Sequence, residues 1–233
     1  MGDARSHSGG EEPDGLSRRD LIGRAATVGV VLALPAAGTA TLGVPAVAGA
    51  APSGLSGAQK ALLEAVVDRL VPADATGPSG TQMGVAAYID RGLAGGLMGG
   101  LSATAPLYKA GLTAIDAYSK SAYGAPFRSL SATKQDAVLA DVEAGKPKAG
   151  FVPDAATFFA TLHEHTVQGM FCDPAYGGNK SFAGWDLIGY PGVRMPVPAA
   201  YQKVGVKVPK AHKSTYAGGA LGSYPKAKKE AIA

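Results

Sequence analysis

Apolar side chains recur every third or fourth residue in Leu62, Leu63, Val66, Val67 and Leu70, and the same spacing returns four more times before Phe171. No segment shows sustained period-two alternation. A chain with this pattern buries its apolar surface by packing helices on one another, so the fold class is mainly α, with a core of about five helices. Helix punctuation agrees. Ser56-Gly57-Ala58-Gln59 has the form of a capping box, and Pro72 stops the first helix. Val85, Tyr88, Ile89, Leu93 and Leu97 mark a second that fades into glycines 95, 96, 99 and 100. Pro106 suits the first turn of a third, with Leu107, Gly111, Ala114, Ile115 and Tyr118 as its stripe. Ser131 caps a fourth carrying Val138, Leu139 and Val142, and Asp154 opens a fifth with Phe158, Phe159, Leu162, Thr166 and Met170 on one side.

Beyond Phe171 the periodicity stops. From Asp173 to Gly192 the chain is a long glycine and aromatic loop, which holds the only tryptophan, Trp185, just after the only cysteine, Cys172. Residues 193–233 form an extended lysine- and proline-rich arm with no acidic side chain between Asp186 and Glu230. Such a segment buries little surface alone and orders on a partner.

The N-terminus reads as an address. Arg18 and Arg19 precede a weakly apolar run, broken by Pro35, Gly38, Gly43 and Pro45, that ends at Ala48-Gly49-Ala50. This is the pattern of a twin-arginine export signal over residues 1–50, which carries folded cargo to the periplasm or the outer face of the membrane. The domain plan is therefore signal, helical domain over 55–192, and basic arm. Losing four basic and five acidic side chains with the signal leaves the remainder positive. Positive charge suits an acidic partner or a membrane surface, and an exported chain meets little nucleic acid.

Catalytic chemistry is sparse. One cysteine excludes a CxxCH haem site and any multi-cysteine metal cluster. His163 and His165 are two residues apart, so on a helix their imidazoles diverge and cannot share an ion. No GxSxG occurs, and Gly177-Gly178-Asn179-Lys180 lacks the spacing of a phosphate cradle. Asp68, Asp74 and Asp90 are not forced into a catalytic pair. For the loop, two readings stand: its aromatics fold back on the core, or they form a rigid docking surface.

The run FFATLHEHTVQGMFCDPAYGGNKSFAGWDLIGYPG, residues 158–192, resembles the signature of the small subunit of gluconate 2-dehydrogenase-type enzymes. Echoes occur at Asp68 to Asp74, Tyr88-Ile89-Asp90, Gly111-Leu112 with Asp116, and Pro126-Phe127 followed by Leu130, Gln135 and Val138-Leu139. The likeness covers about 55–192. It implies a non-catalytic partner, without cofactor or metal of its own, for a flavoprotein of the glucose-methanol-choline oxidoreductase (GMC) type that binds FAD and oxidises a sugar or sugar acid. In such complexes a multihaem cytochrome c with haem c often carries the electrons onward, membrane association is indirect, and the small subunit stabilises and escorts the flavoprotein. The resemblance assigns His165, Cys172, Asp173, Pro174, Tyr176, Gly177, Gly178, Asn179, Trp185, Tyr190 and Pro191 to the partner interface or its support. Cys172, the sole thiol of an exported chain, is either a small packed thiol or the site of an intersubunit disulfide to the flavoprotein. Two alternatives remain: a secreted binding module gripping acidic polymer or lipid through its basic tail, and a stand-alone metal-dependent enzyme using His163 and His165.

Overall fold

The structure is a computed structural model that describes residues 54–95, 101–194 and 196–215. Arg18, Arg19, Leu97 and residues 216–233 of the arm lie outside the described residues. Among those described, six α-helices and no strands are present. They are α1 (Gly57–Leu70), α2 (Val85–Leu93), α3 (Ala105–Tyr123), α4 (Ala132–Glu143), α5 (Ala155–Phe171) and α6 (Ala183–Leu187).

The start signals act as expected at α1 and α5. Ser56 Oγ accepts from Gln59 N at 3.3 Å while Gln59 Oε1 accepts from Ser56 N at 3.1 Å, closing the capping box. Asp154 Oδ1 accepts from Thr157 N at 2.8 Å. Ser131 stands at the head of α4 but makes no side-chain cap; Gln135 instead reaches back to the Phe127 carbonyl at 3.0 Å.

Helix α5 is the centre of the core, packing on α2, α3 and α4, with Phe158, Phe159, Leu162, Thr166 and Met170 all buried. Burying each large apolar side chain stabilises the fold by about 1.5–3 kcal/mol. The expected stripe of α3 needs correction. Leu107 and Tyr118 are only half-buried, whereas Tyr108, Leu112 and Ser119 join Gly111, Ala114 and Ile115 inside. Helix α3 touches α1, α4 and α5, so its buried face is wider than a single stripe. Across the outside of the bundle, Arg69 of α1 clasps Asp136 of α4 through Nε and Nη2, both at 2.7 Å.

The sequence reading does not anticipate α6. Five residues are too few to show periodicity, and two of the helix's first amides are met by one side chain in the loop before it.

Candidate functional site

That side chain is Asn179, which is 0% exposed and sits in the left-handed region at φ 46°. Its amide nitrogen donates to the Cys172 carbonyl at 2.8 Å, binding the loop to the end of α5. Its Oδ1 accepts from Gly184 N at 2.8 Å and from Trp185 N at 3.4 Å, satisfying the first donors of α6. Its backbone N–H donates to the Gly169 carbonyl, and the next residue, Lys180, donates to the Met83 carbonyl before α2. Trp185 completes the cinch by donating Nε1–H to the Phe171 carbonyl at 2.9 Å. Ser181 and Phe182 are also left-handed, at φ 56° and 61°. Three non-glycine residues in this conformation cost energy that the surrounding bonds must offset, and such strain collects where a surface has a task.

The arm does not simply extend away. Beyond Gly192 it runs out and returns, so that Ala211 N donates to the Pro191 carbonyl at 2.8 Å. Asp173 receives it: Ser214 Oγ donates to Oδ1 at 2.5 Å and Thr215 N to Oδ2 at 2.6 Å. Asp186 receives it a second time, through His212 Nε2 at 2.9 Å and Lys210 Nζ at 2.5 Å. The hydrogen bonds from His212 and Lys210 hold the Asp186 carboxyl below the ordinary aspartate range. His212 also lies flat on Phe182, ring centroids 5.0 Å apart. Two loop carboxylates thus receive residues 210–215 of the arm.

Loop and arm together divide into an inner and an outer side. His165, Pro174, Gly178, Asn179 and Trp185 are buried, while Cys172, Asp173, Tyr176, Gly177 and Pro191 are half-buried. Of the residues expected at a partner interface, Tyr190 is the exposed one, at 40%. Its ring stands edge-on against Trp185, centroids 4.8 Å apart at 81°. Ile188 beside it is 54% exposed. The signature residues thus shape the surface from below. Of the loop aromatics, Trp185 is buried, Tyr176 and Phe182 are half-buried, and Tyr190 stays exposed. The arm valines Val197, Val204 and Val206 are exposed as well, and the sequence reading missed them because isolated valines among lysines carry no periodic signal.

His165 is 6% exposed, inside the core, with Nδ1 3.0 Å from the Tyr108 hydroxyl and the two rings stacked at 5.7 Å. Its contacts are with the core. His163, on the same helix, stacks beside Phe159. Among the described residues no cluster of three or more His, Cys, Asp or Glu is arranged to hold a metal ion. Asp68, Asp74 and Asp90 each serve nearby backbone: Asp68 accepts from Thr81 N, Asp74 from Thr76 N, and Asp90 from Gly54 N and Leu55 N. Among the described residues no helix is long and apolar enough to cross a membrane.

Burial depresses the His165 pKa to about 4, from 6.5. Below pH 6.5 the unfolded chain takes up a proton that the folded chain refuses until about pH 4. Stability from this residue is thus complete above pH 6.5 and falls by about 3 kcal/mol as pH drops to about 4. Denaturant melts at pH 7 and pH 4.5 are expected to show this loss, and His165→Gln to flatten it; equal pH dependence in both proteins would remove the assignment.

Cys172 is seated under the loop. Its Sγ points to the Gly169 carbonyl at 3.6 Å, and burial pushes its pKa up to about 12. A methyl at Gly178 would come within 2.9 Å of that sulfur and 2.2 Å of the Gly169 carbonyl oxygen. The thiol fills the seam that only a glycine can close over. The thiol is packed at this seam, where the thiolate that disulfide exchange needs is disfavoured. Electrophoresis of the co-purified complex without reductant is expected to show separate chains; a single reducible band would reverse this.

A family model described as gluconate 2-dehydrogenase subunit 3 matches residues 57–192, from the first residue of α1 to the end of the loop. No curated protein and no solved structure matches the chain.

Proposed function

The chain belongs to the gluconate 2-dehydrogenase subunit 3 family, and from that premise we propose that it is the non-catalytic small subunit of an exported FAD-dependent sugar or sugar-acid dehydrogenase. Its task is to stabilise a GMC-type flavoprotein and to escort it through the twin-arginine route with the signal at Arg18 and Arg19. FAD resides in that partner, and haem c in a multihaem cytochrome where the complex has one. The assembled enzyme works in the periplasm or at the outer face of the membrane, which it meets indirectly.

One observation carries this reading. The most distinctive residues of the chain, Asn179, Trp185, Asp173 and Asp186, have their polar groups engaged within the protein. Among the residues left outward are the apolar Ile188, Tyr190 and the arm valines. Polar groups spent on internal bonds are not poised for acid, base or nucleophilic work, whereas a braced aromatic surrounded by aliphatics suits protein contact. In a strain lacking this chain, the flavoprotein is expected to stay in the cytoplasm or be degraded, with periplasmic dehydrogenase activity lost. Arg18→Lys with Arg19→Lys should reproduce the export defect without loss of the complex. Normal export and activity in the deletion strain would refute the proposal.

A further inference from the structure

The outermost part of this surface comes from the arm. Arg194 closes its base: the guanidinium donates to the Pro209 carbonyl and lies over the Tyr201 ring, 5.1 Å from its centroid. Arg194 and residues 196–209 thereby form a loop with its ends pinned together, a form of surface loop often put to functional use. Val204 near its tip is 104% exposed, and Val197 and Val206 also face outward. With Ile188 and Tyr190 they comprise all but one of the exposed large hydrophobics of the described residues, the other being Val152.

Charge surrounds this apolar ground. Lys203, Lys207, Lys210 and Lys213 are exposed, and no acidic residue occurs between Asp186 and Glu230. The two nearest loop carboxylates are already occupied, Asp173 by Ser214 and Thr215, Asp186 by Lys210 and His212. Lys203 and Lys207 thus lie in a stretch of sequence that holds no acidic residue.

We propose that the 194–209 loop is a primary docking element, and that its occupant is an apolar depression with an acidic rim on the catalytic partner; this rests on the accessory-subunit reading above. Lysines at the rim steer an acidic partner into register, and the valines with Ile188 and Tyr190 supply the desolvated centre. A protein fits better than an anionic bilayer. The apolar residues come from two separate segments, tied together where Ala211 N meets the Pro191 carbonyl and Lys210 and His212 meet Asp186, and with one aromatic among them they offer little area for insertion into lipid.

The test uses the full-length chain with its flavoprotein, and measures affinity at low and high NaCl for wild type, Lys203→Glu with Lys207→Glu, and Val204→Asp with Val206→Asp. All altered side chains are exposed, so each variant alone should melt as wild type does; Val204→Ser is a milder second probe. Both double variants are expected to bind about tenfold more weakly or worse, and the lysine variant to lose the salt dependence that wild type shows. Unchanged affinity and salt dependence would overturn the docking loop while leaving the accessory-subunit reading intact. Failure of wild type to bind the flavoprotein at all would overturn both. Binding of wild type to phosphatidylglycerol vesicles, lost in the variants while the complex is unaffected, would overturn the protein occupant.

Discussion

Gly184→Ala is expected to destabilise the protein by roughly 3 kcal/mol or more, lowering the melting temperature by about 6–12 °C. A methyl there would sit 1.8 Å from the Met170 carbonyl oxygen and 3.1 Å from Asn179 Oδ1. The obstacle is backbone of the central helix, which cannot swing aside as a long side chain would. Helix α6 must therefore lift off α5, carrying Trp185 and the bonds of Asn179 with it. Gly57→Ala is the matched control, because a methyl at Gly57 meets nothing within 4 Å, and its melting temperature should stay close to wild type. Thermal melts of the two variants separate them; equal melting temperatures would mean that α6 is not docked as described.

Asn179→Ala is expected to cost about 3 kcal/mol, because it strands the Cys172 carbonyl and the Gly184 N–H in a buried setting and removes a longer contact to Trp185 N. Asn179→Gly separates the causes. Glycine accepts φ 46° without strain, so any loss that persists belongs to the side-chain bonds. We expect Asn179→Gly to recover only a small part of the stability lost with alanine. Trp185 is the only tryptophan and is 6% exposed, so its fluorescence reports the loop directly. Both variants should shift its emission to the red, toward that of a solvated indole. A glycine variant with wild-type stability and emission would show that the network does not hold the loop.

The helical core is legible in the sequence to the extent that burial is one-sided. Leu62, Leu63, Val66, Val67 and Leu70 are the buried residues of α1, as their spacing requires, and the caps at Ser56 and Asp154 form as their chemistry dictates. Tyr108 and Leu112 escape the reading because α3 is enclosed by three neighbours. The loop is harder. Its residue types announce turns, but that Asn179 would reach both Cys172 and Gly184 depends on contacts between segments, which periodicity does not encode. The outward side is least legible. Tyr190 and Ile188 lie within the family signature, whereas Val197, Val204 and Val206 lie past residue 192, where the family match ends. The return of the arm follows from Asp173 and Asp186 meeting Ser214 and Lys210, pairings 41 and 24 residues apart in the chain that no local pattern foretells. His165 illustrates a further limit of pattern reading: a histidine in a distinctive motif invites a contact role, while its neighbours place it against Tyr108 in the core.

The central claim is that this chain works by holding a flavoprotein, and co-purification tests it most directly. The full-length chain and a GMC-type flavoprotein from the same cell are expressed together and separately, and flavin absorbance and dye-linked dehydrogenase activity are followed through size-exclusion chromatography. The account predicts a stable complex in which flavin and activity co-elute with both chains, while this chain alone shows neither. Flavin and activity in this chain by itself, or two proteins that elute apart with the flavoprotein fully stable and active, would contradict it.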